Sequence, residues 1–133
     1  MCRMDKWVVH KFGGSSVADA ACFRRVAEIV EASSNPREAI VLSACRGVTD
    51  ALLELVNLAE QPNKEFGSAI RALKARHLDL AAELLSQPAY ETYKAQFERD
   101  CLDIAGMLHT VRLIRSATYL MRDVIAEIGR AHV

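Results

Sequence analysis

Lys6-Trp7-Val8-Val9-His10-Lys11-Phe12-Gly13-Gly14-Ser15-Ser16-Val17 is the stretch that decides the fold class. Residues 6–12 are few, rich in β-favouring side chains and stopped by two glycines, which predicts a strand. From residue 17 to about residue 32 the period changes. Phe23, Val26 and Val30 recur at helical spacing, with Ala27 beside them. Ser16, followed three residues later by Asp19, resembles a capping box and predicts a helix starting just after the glycines. Ser33-Ser34-Asn35-Pro36 is a turn cluster. Ala39-Ile40-Val41-Leu42 is a continuous apolar run between polar residues, so a buried strand is expected. Val48, Leu52, Leu55 and Ala59 mark the next helix. Strand, helix, strand, helix is the pattern of an α/β protein, a parallel sheet with helices packed on its faces.

Beyond Pro62 the pattern is helical throughout. Phe66, Ile70, Leu73, His77, Leu80 and Leu84 share one face of a helix expected to stop before Pro88. Tyr93, Phe97, Cys101, Ile104 and Leu108 share the face of the next. Ser116 is the expected cap of a last helix carrying Leu120 and Val124. Two strands are too few for a stable parallel sheet. Either the helices form most of the core or further strands lie outside this chain, and the second is expected.

Seventeen Lys and Arg balance seventeen Asp and Glu in 133 residues. No net positive field exists to hold a polyanion, which argues against nucleic acid as the main partner. The local clusters Arg24-Arg25 and Arg71, Lys74, Arg76 read as solvated helix faces. Cys2, Cys22, Cys45 and Cys101 form no C-x-x-C, and no histidine stands at metal-ligand spacing from them, so free thiols, no metal and a reducing cytoplasm are expected. Residues 1–6 lack a signal peptide's apolar stretch, and no segment has the length to cross a membrane.

The chemistry concentrates around the glycines. A strand ends, Gly13 and Gly14 remove side chains, and a helix follows, so backbone N–H groups and a helix dipole are available to an anion. Lys11 can add an ammonium, and Ser15 and Ser16 add hydroxyl donors. The lysine precedes the glycines, so this is not the Walker pattern. On the residues alone the segment is either a plain strand-to-helix turn or a phosphate loop.

Lys11-Phe12-Gly13-Gly14-Ser15-Ser16-Val17 is similar to the signature that opens the aspartate kinases, members of the amino-acid kinase family. Val41-Leu42-Ser43-Ala44-Cys45-Arg46-Gly47-Val48-Thr49-Asp50 resembles the family's second loop, a Ser-Ala pair followed by Gly-x-Thr and a helix. Arg46 departs from the small residue expected there, and Cys45 reads as a small filler. Without the resemblance, Thr49 or Asp50 is simply a helix cap.

The resemblance implies the N-terminal portion of a three-layer αβα amino-acid kinase (carbamate-kinase-like) fold with a helical insertion. Residues 1–126 would be a partial kinase domain, strand-helix-strand-helix to about 61 and helical over 62–126. It implies transfer of the γ-phosphoryl group of ATP to the side-chain carboxylate of L-aspartate, giving 4-phospho-L-aspartate, the first step towards lysine, threonine and methionine. Lys11 would be catalytic. Lys11, Gly13, Gly14, Ser15 and Ser16 would bind the phosphates, and Ser43 and Thr49 the aspartate. Mg2+ is expected with the nucleotide, and homo-oligomers for the full-length protein. The family's substrate-binding glutamate needs a Gly-x-Gly-Glu-like context that Glu127 lacks. Alternatives within enzymes are another amino-acid kinase, or a kinase fused to homoserine dehydrogenase or diaminopimelate decarboxylase. A non-catalytic helical interaction module is the alternative outside them.

Three further residues carry expectations. His77 lies in an apolar stripe and should be packed. Asp100 and Asp103, one turn apart, should be solvated. His10 has no partner legible in the sequence. Finally, Ile128-Gly129-Arg130-Ala131-His132-Val133 is what a widely used sequencing adapter encodes before a stop, so residues 127–133 are expected to be a non-native tail.

Overall fold

The computed structural model describes residues 6–132. Two strands, β1 (Val8–Phe12) and β2 (Glu38–Leu42), pair in parallel from Val8 opposite Glu38 to Phe12 opposite Leu42. The crossover between them is α1 (Ala20–Glu31). α2 (Val48–Glu60), α3 (Gly67–Leu84), α4 (Gln87–Ile114) and α5 (Tyr119–Ala131) follow. The expected strand-helix-strand-helix order and the three later helices are therefore all present. Among the described residues no helix is long and apolar enough to cross a membrane.

α1 starts later than the sequence suggested. Residues Gly14–Val17 form a single 3-10 turn, and Asp19 rather than Ser16 is the N-cap, its Oδ1 accepting from Cys22 N–H at 2.8 Å. A carboxylate is the stronger cap here because it meets the positive end of the helix. That bond holds the Asp19 carboxyl below its usual pKa range.

The core is helical and centred on α2. Its predicted stripe, Val48, Leu52, Leu55 and Ala59, is buried together with Val56. These side chains pack against Phe66, against Ile104, Leu108 and Val111 of α4, and against Ile125 of α5. Each fully buried Leu or Val contributes about 1.5–3 kcal/mol. The sheet is not enclosed in the same way. Ile40 and Val41 are each 48% exposed, and Trp7 and Val9 more so, which corrects the expectation of a buried second strand. The helices pack mainly on one another, and a sheet of two strands has two open edges and too little width to be covered.

Pro88 falls in the first turn of α4, where its missing N–H costs nothing. α3 ends before it, as expected. The stripe of α4 faces inward, with Phe97, Ile104 and Leu108 buried.

α5 is rotated from its expected face. Its cap is Thr118, whose hydroxyl accepts from Met121 N–H at 3.2 Å, and Ser116 stands outside. Leu120 and Val124 are exposed, while Met121, Ile125 and Ile128 turn inward. Polar bonds set this rotation. Glu60 accepts from Ala117 N–H at 2.9 Å and pairs with Arg122 at 2.6 Å, and Arg122 also reaches Asn57 at 3.0 Å. Apolar spacing alone does not contain that information.

Candidate functional site

Both motifs lie where parallel strands end. The first loop leaves β1 and the second leaves β2, and Ser43 N–H donates to the Phe12 carbonyl at 3.0 Å, so the two loops start side by side. The mouth outside the carboxyl ends of parallel strands is where open α/β sheets bind ligands.

In the first loop Gly13 is extended (φ −80°, ψ 176°), and Ser16 N–H donates to its carbonyl at 2.9 Å to close the 3-10 turn. Neither Gly13 nor Gly14 has a positive φ, so the strained angles that glycine permits are not used here. The reason for Gly14 is close approach. A Cβ on it would stand 3.3 Å from the Ala44 carbonyl oxygen and 3.5 Å from Arg46 Cα, against backbone that cannot swing away. Lys11 is exposed, and its Nζ lies 3.6 Å from where a Cβ on Gly13 would be. The ammonium therefore sits over the turn whose backbone it was expected to assist. The dipole of α1 is a poorer asset than expected, because the Asp19 carboxylate already occupies its N-terminus.

In the second loop Ala44 and Cys45 are buried, and burial pushes the Cys45 thiol above its ordinary pKa against the pull of the nearby Arg76 guanidinium. A protonated buried thiol is inert, in keeping with a filler role. Gly47 carries the left-handed turn (φ 77°) and is the N-cap of α2, with no side chain capping the helix. Thr49 and Asp50 therefore lie inside the first turn rather than at the cap. Val48 N–H donates to the Cys45 carbonyl, and Ala51 N–H to that of Gly47, both at 3.0 Å. Between those two bonded amides, a helix start without a side-chain cap leaves the Thr49 and Asp50 amides for another acceptor.

The structure thus sets the first loop, which carries Lys11, Gly13, Gly14, Ser15 and Ser16, beside the second, which carries Ser43 and Thr49. Ser15 is exposed, and Ser16, Ser43 and Thr49 are half-buried. Among the described residues no group of three or more His, Cys, Asp or Glu could hold a metal ion.

One residue of this neighbourhood is not apparent from the sequence. Arg76 reads there as part of a solvated basic face, yet its Nη2 donates to the Arg46 carbonyl at 2.7 Å. Lys74 of the same group pairs with Glu98 at 2.9 Å. Both residues sit off the apolar stripe of α3, so periodicity carries no sign of either contact.

Elsewhere, His77 is buried as expected, 2.9 Å from the Leu73 carbonyl and stacked on Phe97. Asp100 is not simply solvated. Its Oδ2 lies 2.6 Å from His132 Nε2, and its Oδ1 accepts from Gln96 at 3.0 Å, while Asp103 is exposed. His10 Nε2 stands 3.9 Å from Glu38 Oε2, too far for a hydrogen bond, with its ring alongside Phe12. Cys22, Cys45 and Cys101 are free thiols, and Cys2 lies outside the described residues. A groove of about 690 Å³ runs between α1, α3 and α4 past Phe23, Leu80 and Tyr93, and no residue of either loop lines it.

A sequence profile of the Amino acid kinase family matches residues 6–131. The bifunctional aspartokinase/homoserine dehydrogenase (chloroplastic) of Daucus carota is 29% identical over 92% of this chain and 13% of its own length. The lysine-sensitive aspartokinase 3 of Escherichia coli is 44% identical over 47% of this chain and 14% of its own. The crystal structure of E. coli aspartokinase III in complex with aspartate and ADP (R-state) superposes with a TM-score of 0.79 at 25% identity. That match covers 96% of this chain and 27% of the other. The matched stretches span about one seventh of the length of the curated relatives named here.

Proposed function

Because this chain belongs to the amino acid kinase family, we propose that it is the N-terminal part of an aspartokinase and supplies half of that enzyme's reaction site. The supporting observation is the contact between the two loops at Gly14, at the carboxyl ends of adjacent parallel strands. One loop offers an ammonium and a glycine turn, and the other offers a helix N-terminus without a side-chain cap.

Lys11 and the backbone of residues 13–16 hold the transferring phosphates of ATP. Ser43 and Thr49 hold L-aspartate. The side-chain carboxylate of aspartate has a pKa near ~4 and is already an ionised nucleophile at neutral pH, so no base is required of the protein. The chemical work is then positioning, together with neutralising charge on the phosphoryl group as it moves. Lys11 supplies the latter, and 4-phospho-L-aspartate is the product. Magnesium enters with the nucleotide phosphates, since the described residues offer it no cage of their own.

The partial kinase domain is taken to span the residues that the family profile matches, 6–131. The free thiols suit a reducing cytoplasm, and the full-length protein is taken to be a homo-oligomer. Several relatives are named as bifunctional aspartokinase/homoserine dehydrogenases. That favours the kinase part of such a fusion as the second reading, and the genomic reading frame beyond Ala126 distinguishes the two.

The direct test is an NMR titration of the 133-residue chain, first with Mg·ADP and then with L-aspartate. Amides of residues 13–16 should move with nucleotide and those of residues 43–49 with aspartate. Silence at both loops, or movement confined to the helices, would overturn the assignment.

A further inference from the structure

Arg76 belongs to α3, outside both loops, yet it reaches back across the sequence to the Arg46 carbonyl. Its Nη1 also lies 3.9 Å from where a Cβ on Gly47 would stand. The guanidinium therefore covers the Arg46-Gly47 peptide on the outside of the second loop. Among the described residues no carboxylate lies within ion-pair distance of it. Its charge is directed at a single backbone oxygen.

The second loop is built in a way that calls for such a support. It turns through a left-handed glycine, and no side chain caps the helix that follows. Its other side is the first loop, where Gly14 meets Ala44 and Arg46. A shift of the Arg46-Gly47 peptide would turn the Val48 and Thr49 amides and loosen the contact at Gly14 together.

We infer that Arg76 is a positioning residue: its hydrogen bond to the Arg46 carbonyl fixes the second loop, and through Gly14 the mouth shared by both loops. The loop-fixing role stands on geometry alone, and only its consequence for aspartate rests on the function proposed above. α3 thereby gains a purpose beyond packing, as the strut that holds a substrate loop from behind.

The experiment is amide hydrogen exchange by NMR on the 133-residue chain and its Arg76→Ala and Arg76→Lys variants. A hydrogen bond from a charged donor, here on an exposed side chain, is worth about a tenfold change in local opening. In Arg76→Ala the Val48 and Ala51 amides should exchange about tenfold faster, while the Ile104 and Leu108 amides of α4 keep their rates. Arg76→Lys keeps one donor on a flexible stem and should restore part of the protection. Unchanged Val48 and Ala51 rates in Arg76→Ala would overturn the inference. So would an equal acceleration at Ile104 and Leu108, because the role would then be general packing.

An aspartate titration read at the Thr49 amide adds the functional arm. Where the parent chain responds, Arg76→Ala should weaken the apparent Kd about tenfold, and an unchanged Kd overturns positioning of the ligand. Where the parent does not respond, the substrate reading of the loop fails by itself, and the exchange rates still decide whether Arg76 fixes the loop.

Discussion

Gly47→Ala and Gly106→Ala are the same chemical change with opposite expected signs, and the structure supplies the reason for each. Gly47 sits at φ 77°, in the left-handed region, with only Arg76 Nη1 at 3.9 Å near an added Cβ. There is room for the methyl group, so the cost is the backbone conformation alone, about 1–2 kcal/mol. Gly106 lies within α4, and nothing stands within 4 Å of an added Cβ. Alanine there should stabilise the helix by about 0.8–1 kcal/mol. Together the two variants should differ by roughly 2–3 kcal/mol in urea unfolding, with midpoints moving in opposite directions and m unchanged. Gly47→Ala should in addition perturb the second loop, because alanine favours a right-handed turn that redirects the Val48 and Thr49 amides. Equal stability of the two variants would refute the left-handed turn, and with it the loop geometry on which the site depends.

His77 is buried, and desolvation first of all holds its pKa below the ordinary 6.5. The unfolded chain therefore binds the extra proton first, and stability should fall as pH drops below about 6.5. Urea midpoints between pH 7 and pH 5 should show the loss in the parent and a flatter profile in His77→Phe. The exposed Trp7, Val9, Ile40 and Val41 on a sheet with open edges should drive association. Sedimentation should show it growing with concentration and weakening in Val41→Lys, whereas a strict monomer would count against it. The 133-residue chain should lack measurable aspartate kinase activity, because the groups that stabilise a transition state act as a unit. Hydroxylamine trapping of acyl phosphate checks this, and robust product from the chain alone would contradict it.

What was legible in the sequence follows from which interactions set each feature. The stripe of α2 was readable because Val48, Leu52, Leu55 and Ala59 meet the core through apolar spacing alone. The start of α1 was misplaced because Ser16 and Asp19 compete for the same capping task, and only the chain's path past the buried Val17 decides for Asp19. The rotation of α5 depends on Glu60, which lies 57 residues from the Ala117 amide it binds. β2 resembles a buried strand in composition, yet burial depends on what covers it. In the site, both motifs announced themselves locally, whereas Arg76 acts over 30 residues from a face that looks merely solvated. The use of Gly14 for loop contact and of Gly47 for a left-handed turn needed coordinates to tell apart, since glycine serves both needs.

Steady-state kinetics of the proposed full-length enzyme, comparing Lys11→Ala with Thr49→Ala, bear most directly on the two loops as phosphate and aspartate sites. On the proposed assignment Lys11 would act on charge that shifts in the transition state, and removing one such preorganised donor typically costs roughly 3–4 kcal/mol, or two to three orders of magnitude in kcat. Lys11→Ala should therefore lower kcat far more than it raises the KM for aspartate. The same assignment has Thr49 contact aspartate in ground and transition states alike, so Thr49→Ala should mainly raise that KM. If Lys11→Ala left kcat within a few-fold of the parent, the first loop would be a plain turn between a strand and a helix, and the phosphate assignment would be wrong.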